Sequence, residues 1–402
     1  MESLKERGLT LARRDGKRLH NLRTFNTRAN TEMTQFSKDV SDVELAKRIK
    51  ELKGITAADN FETILKLLVP TEKIDTINRI INGISQEDEF ALLCKMLECC
   101  SSITPLHQTP IMNENEITPD FQATFHPASF LSNVSSYEAP PFKCMVEVKS
   151  TEKLKFKCSR SDIEKRKRFA ERYDLPLIYA IRFTAIKSHA YWIIVTADDL
   201  YKKNRVDSSD YVDSITPLLF DNYSIFTNSS YTFIRKYSTN NDGIGERHPK
   251  LGNLQSVELI SEAGKVYQPS AADSLLLAML FNAFGSTKSY SETYRGESVV
   301  YSAFRIQNTL TLVDTIYFLN NLVSDEEGNK FYSPDRAMAN LDSPTNPTKL
   351  FTRSSIERLI RRTNEACSDF FLFGMLGEIE THRKRVDKVA KLMGISAPPN
   401  QK

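Results

Sequence analysis

The sequence predicts an α/β protein, and three observations predict it. The stretch PFKCMVEVKS (141–150) reads as a buried β-strand in which Glu147 and Lys149 alternate with Val146 and Val148. The following SRSDIEKRKRFAERYDLP (159–176) places Ile163, Arg166, Phe169, Ala170 and Tyr173 at helical spacing beneath a dense basic face. Two apolar, β-rich runs then follow, LIYAIRF (177–183) and AYWIIVT (190–196), separated by a polar turn.

The elements before these can be placed in order. Residues 1–30 carry Lys5, Arg7, Arg13, Arg14, Lys17, Arg18, Arg23 and Arg28 against Glu2, Glu6 and Asp15, a basic opening suited to phosphate contact or partner docking. Helical character appears at 42–53 and again at 58–68, where Pro70 ends it. A third helix is expected over 85–100, with Ser85 as its cap and Phe90, Leu92, Leu93, Met96 and Leu97 as its apolar body. DFQATF (120–125) alternates as a short strand. A Ser/Pro/Asn-rich loop then runs from His126 to Pro141, long enough to hold a further strand near Phe130–Tyr137. The predicted unit over roughly 80–200 is therefore helix, strand, strand, helix, strand, strand.

Beyond residue 200, YSTNNDGIGERHPKLGN (237–253) has the composition of a loop. After it come a hairpin formed by SVELI and KVY, an apolar helix near 270–284, β-rich stretches around 298–320 and helices near 354–392. The expected division is a basic, mainly helical region (1–80), a central α/β core (81–205), a connecting segment (206–253) and a C-terminal α+β or mostly helical module (254–402).

Composition bounds the function. With 402 residues, 40% apolar and 26% charged, the chain is an ordinary globular protein, and its net charge of +3 is too small to make the whole surface a polyanion binder. The N-terminus has no apolar signal region. The longest apolar run, 275–284, covers about half a membrane span and lies between Pro269 and Gly285, as a core helix does. A cytosolic protein without a membrane segment is expected. The six cysteines, at 94, 99, 100, 144, 158 and 367, form no C-x-x-C pair. The adjacent Cys99 and Cys100 suit neither a zinc site nor easy disulfide geometry, so reduced core thiols are expected.

The chemistry centres on two acids. Asp120 follows Pro119 at the head of one strand, and Glu147 lies within another. If those strands are neighbours, both carboxylates face one cavity, where they are stable as anions only with a cation between them. Mg²⁺ suits such a pair, with Mn²⁺ as a substitute. Lys149, on the same strand face as Glu147, would stabilise charge developing at a phosphorus centre. An exposed Glu147–Lys149 ion pair is the plainer alternative, worth about 1 kcal/mol or less.

This arrangement, PD (119–120), EVK (147–149), a basic helix and the strand LIYAIRF, resembles the PD-(D/E)xK nuclease superfamily over roughly residues 85–200. That group includes restriction endonucleases and archaeal-type Holliday junction resolvases. The resemblance implies a restriction endonuclease-like core, a mixed central sheet flanked by helices. It implies Asp120, Glu147 and the Val148 carbonyl as metal ligands and Lys149 as the catalytic lysine. It also implies an acid on the helix before the first strand, for which Glu89 fits best and Glu62 is the rival. Lys153, Lys155, Lys157, Arg160, Lys165, Arg166 and Arg168 would form a nucleic-acid-binding patch beside the site, although alternating lysines also serve as a solvated edge that resists sheet pairing. His126 is read as a loop residue and Trp192 as core.

The implied activity is an Mg²⁺-dependent DNA endonuclease of a restriction or anti-phage defence type. The C-terminal module would serve recognition, homo-oligomer formation or a partner protein. The alternatives are a non-catalytic binding scaffold that keeps the nuclease fold and a chance occurrence of the motif, which would leave Asp120 and Glu147 far apart.

Overall fold

The computed structural model describes residues 42–56, 58–106, 115–126, 141–185, 190–228, 230–284, 288–303, 309–322 and 350–394. The basic opening and the expected strand near 130–137 lie outside these residues. The chain divides into two compact units, Met1–Asp88 with Pro334–Asn346, and Glu89–Ser333 with Pro347–Lys402.

The first unit contains α1 (Asp42–Ile55), α2 (Ala58–Leu68) and the start of α3 (Ile74–Leu97). Leu45, Ala46, Ile49, Leu65, Val69, Ile77 and Ile81 form its core, and Lys73 pairs with Asp42 at 2.7 Å. The helix expected from Ser85 begins eleven residues earlier, at Ile74, so Ser85 lies inside α3 and does not cap it. The reason is the apolar spacing Ile74, Ile77, Ile81, which extends the helical stripe towards the N-terminus.

In the second unit, α3 continues from Glu89 and is followed by β1 (Cys100–Pro105), β2 (Phe121–Phe125), β3 (Phe142–Thr151), β4 (Lys155–Lys157), α4 (Arg160–Glu171), β5 (Leu177–Phe183) and β6 (Tyr191–Thr196). The main sheet runs β1-β2-β3-β5-β6. β3 and β5 are parallel, joined through α4, and the other pairs are antiparallel. The result is a mixed sheet flanked by helices. β1 was not expected from the sequence, because CSSITP is polar and mostly exposed.

Register assigns the two faces of the sheet. Phe121 pairs with Val146, Val146 with Ile178 and Ile178 with Thr196. On this face Phe121 and Trp192 pack against Phe90 of α3, with ring centroids 6.4 and 5.3 Å away. The opposite face carries Met145, Tyr179, Ile181, Ile193 and Val195, covered by Ile163, Phe169 and Ala170 of α4. A central strand between two helical layers is buried on both sides, so β3 is buried almost continuously from Phe142 to Val148 although Glu147 interrupts its apolar residues.

The chain continues through α5 (Ala197–Lys203), β7 (Arg205–Asp207), α6 (Thr216–Leu219), β8 (Tyr223–Thr227) and β9 (Tyr231–Ser238). After β9 come β10 (Arg247–His248), β11 (Gly252–Ser261), β12 (Val266–Tyr267) and α7 (Ala271–Phe284). The last elements are β13 (Lys288–Tyr294), β14 (Glu297–Ala303), β15 (Thr309–Thr311), α8 (Leu312–Leu322), α9 (Arg353–Ala366), β16 (Phe371–Met375) and α10 (Ile379–Leu392). β11 and β12 form the expected hairpin. β4 pairs with β7 as a separate two-stranded ribbon, so the lysines of 153–157 do not edge the main sheet.

The described residues of the region 298–320 hold two strands and then a helix. Leu312, Ile316 and Leu319 are fully buried at helical spacing, and that periodicity overrides the β-branched content of the segment. Within 237–253, Gly252 opens β11 at φ +89, where a Cβ would lie 2.3 Å from the Ser238 carbonyl oxygen, so the position requires glycine.

The second unit extends across residues 205 and 253. Trp192 Nε1 donates to the Tyr317 hydroxyl at 2.8 Å. Lys388 pairs with Asp199 at 2.6 Å, and Arg385 Nε donates to the Val212 carbonyl at 3.0 Å. The expected connecting segment holds Tyr223, Ile225 and Phe233, all fully buried. Among the described residues no helix is long and apolar enough to cross a membrane.

Candidate active site

Asp120 stands one residue before β2. Because Phe121 pairs with Val146 in an antiparallel ladder, Asp120 comes opposite Glu147. Its carboxylate Oδ2 accepts the Val148 amide at 2.7 Å, between Glu147 and Lys149. The Asp120 carbonyl accepts the Leu106 amide at 2.9 Å, which ties the same residue to the neighbouring chain. Two strands thus fix one acid against the other.

Glu147 and Lys149 share the sheet face covered by α4. Arg166 reaches down from that helix, its Nε 2.7 Å from Glu147 Oε1, and the Lys149 ammonium pairs with the same oxygen. Glu147 is 1% exposed and Asp120 5%. The Arg166 contact is an ion pair by distance but is not aligned as a hydrogen bond. Glu147 Oε2 is buried with no hydrogen-bond partner among the described residues. The hydroxyl of Tyr179, the residue across the ladder from Glu147, is in the same condition.

The charges shape one another. Burial, reinforced by the Glu147 charge, pushes the Asp120 carboxyl up to about 7, against the opposing pull of Lys149, the Val148 amide and Arg166. Burial alone would lower Lys149, but Glu147 and Asp120 outweigh it and hold the ammonium above its ordinary value. Arg166 is raised in the same way, chiefly by Glu147 against burial. Burial raises Tyr179 well above the usual phenol range. Lys149 and Arg166 are therefore fixed cations that cannot act as bases, and Asp120 is only partly ionised near neutral pH unless more positive charge is nearby.

These residues fit a divalent cation. Two oxygen-donor side chains converge, one has an unpartnered buried oxygen, and the other is held partly protonated for want of positive charge.

The structure brings Asp120, Glu147, Val148 and Lys149 together and does not bring Glu89 to them. Glu89 lies against the opposite sheet face, where its Oε2 accepts Arg182 Nε at 2.9 Å and its Oε1 accepts the Tyr317 hydroxyl at 3.0 Å. Arg182 alternates with Ile181 along β5 and so faces away from Glu147. The expected acid is thus a buried structural partner. Glu62, its rival, is exposed in the other unit, 3.8 Å from Lys66.

Arg166 also departs from expectation: grouped with the surface patch, it instead contacts Glu147. The signal was available, because Arg166 lies on the stripe of Ile163, Phe169 and Ala170 that faces the sheet. Tyr179 was missed because an aromatic in an apolar strand reads as core. Lys153, Lys155, Lys157, Arg160 and Arg168 are exposed, and Lys165 is partly so. Arg160 lies 5.4 Å over the Tyr201 ring. His126 sits at the far end of β2 from Asp120, its amide donating to Cys99.

No family model matches the chain, and no curated protein matches it. Among solved structures, the chain is similar to Hjc of Archaeoglobus fulgidus, a Holliday junction resolvase from an archaeal hyperthermophile. The sequences are 16% identical, the match covers 31% of this chain and 89% of that one, and the TM-score is 0.22. A likeness at that TM-score identifies neither fold nor activity, so the geometry of the site has to carry the functional reading.

Proposed function

We propose that this protein is a metal-dependent nuclease that hydrolyses phosphodiester bonds, with DNA as its substrate. The observation that carries the reading is Glu147: an almost fully buried carboxylate with Lys149 and Arg166 on one oxygen and no hydrogen-bond partner among the described residues on the other, facing Asp120. Asp120, Glu147 and the Val148 carbonyl would hold the cation, with Mg²⁺ the expected ion. Bound there, it supplies Lewis acidity and a more acidic water.

The protein's own residues do the rest. Asp120 is positioned by its bond from the Val148 amide. Lys149 and Arg166, both fixed as cations, neutralise charge developing on the non-bridging phosphate oxygens. Arg160 and the exposed lysines of 153–157 contact flanking phosphates without reading sequence.

A non-catalytic scaffold is the second reading, favoured by the fact that Lys149 and Arg166 already pair with Glu147. Buried ion clusters of that kind can be purely structural. Supercoiled plasmid incubated with the protein, with its Glu147→Gln and Lys149→Ala variants, and with Mg²⁺, Mn²⁺ or EDTA separates the two. Cleavage that needs metal and is lost in both variants is expected. A folded parent that binds DNA without cutting it under any metal supports the scaffold, and cleavage that survives both substitutions overturns the site.

A further inference from the structure

A second cluster of metal-ligating side chains lies at the other end of the sheet from the acids. Cys94 occupies the last turn of α3. The chain then reverses at Glu98, whose φ of +52 is left-handed. The Glu98 amide donates to the Lys95 carbonyl at 3.1 Å and the Cys99 amide to the Cys94 carbonyl at 3.3 Å. This paired closure of a helix end folds the residue after the turn back onto the last helical turn, which sets Cys99 beside Cys94.

Adjacent residues of a regular strand point to opposite faces, yet the Cys99 and Cys100 sulfurs are only 4.0 Å apart. Cys99 precedes β1 and belongs to the helix-end turn, so strand alternation does not separate it from Cys100. The sulfurs of Cys94, Cys99 and Cys100 all lie within 4.8 Å of one another. The adjacency that argued against a metal site in the sequence is thus overcome by a third thiol from the helix and by the left-handed turn that sets Cys99 beside it.

That spacing is informative. It is far longer than the roughly 2.05 Å of a disulfide. It approaches the sulfur–sulfur edge of about 3.8 Å that follows from tetrahedral zinc with Zn–S near 2.3 Å. All six cysteines are free thiols, and Cys94 and Cys99 are buried while Cys100 is partly exposed. The carbonyl end of a helix favours a cation, and thiolates select thiophilic metals over the hard cations that suit the two acids. Cys100 pairs with Phe125, so the trio sits about 17 Å along β2 from Asp120 at the usual rise per residue.

We propose that Cys94, Cys99 and Cys100 bind one thiophilic d¹⁰ cation, zinc(II), which fastens the end of α3 to the edge strand β1. The site is independent of the nuclease reading. Its test is metal analysis of the full chain purified under reductant without chelator, followed by replacement of the metal with cobalt(II). One equivalent of zinc and an intense sulfur-to-cobalt charge-transfer absorption are expected. Cys94→Ser and Cys100→Ser should each weaken cobalt binding at least about tenfold, and Cys158→Ser, remote from the trio, should leave it unchanged. If Cys94→Ser fails to fold, the partly exposed Cys100→Ser, checked by circular dichroism, decides the matter. A folded chain that gives no charge-transfer absorption, or one whose absorption survives Cys100→Ser, overturns the proposal.

Discussion

Arg166 Nε lies 2.7 Å from Glu147 Oε1, so a side chain of the crossover helix touches the acid of the strand that precedes it. A guanidinium held there is placed to follow charge on a bound phosphate. Arg166→Ala is expected to lower single-turnover cleavage by about 10²–10³-fold while changing DNA affinity, read by fluorescence anisotropy, by less than about tenfold. Arg166→Lys should recover part of the rate, since it keeps the charge but not the planar fork. A variant that loses affinity and keeps its single-turnover rate would return Arg166 to the surface patch.

Asp120 predicts a trade of stability for function. Its folded-state value of about 7 lies above the ordinary carboxyl value of about 3.9. Between the two, the folded protein keeps a proton that the unfolded chain has lost, so metal-free stability falls as pH rises from about 4 to about 7. Asp120→Asn retains an acceptor for the Val148 amide and removes the charge. In EDTA at pH 8 it should melt higher than the parent, by up to a few kcal/mol of stability. At pH 4 the difference should vanish. Mg²⁺ should stabilise the parent and not the variant, and the variant should not cleave. Equal melting of both proteins at pH 8 would show that Asp120 is not held against its charge.

Glu89 should behave as a structural residue. Glu89→Gln leaves Arg182 without its carboxylate in a mostly buried setting, which is expected to cost about 2–4 kcal/mol in urea unfolding. The fraction that remains folded should still cleave in Mg²⁺ at close to the parent rate. Loss of cleavage without loss of stability would place Glu89 in the reaction after all.

The basic patch should be graded. Arg160 stacks on Tyr201, whereas Lys155 faces Asp207 across the β4–β7 ribbon. Arg160→Ala is expected to reduce the slope of log affinity against log salt by about 0.9, the share of one phosphate contact. Lys155→Ala should reduce it by less, because its charge is already partly neutralised. Equal slopes for the two variants and the parent would remove this surface from the DNA interface.

The sequence by itself determined the elements that local periodicity controls. The strands at 121–125, 142–151, 177–183 and 191–196 and the helix at 160–171 follow from alternating, apolar β-rich or helical spacing, while the pairing that brings Asp120 to Glu147 stayed conditional in the sequence. A polar edge strand such as CSSITP carries no such signal, since its pairing depends on a neighbour outside its own residues.

Only the tertiary structure decided the rest. Helical spacing puts Arg166 on the sheet-facing stripe of its helix, but it does not say which face of the sheet that helix or the helix of Glu89 will cover. α4 packs on one face of the sheet and α3 on the other, so Arg166 meets Glu147 while Glu89 meets Arg182 on the opposite face. The cysteine trio likewise depends on a helix reversal that the spacing of three residues does not reveal. Spacing fixes which way a side chain points from its own element, and packing fixes what it meets there.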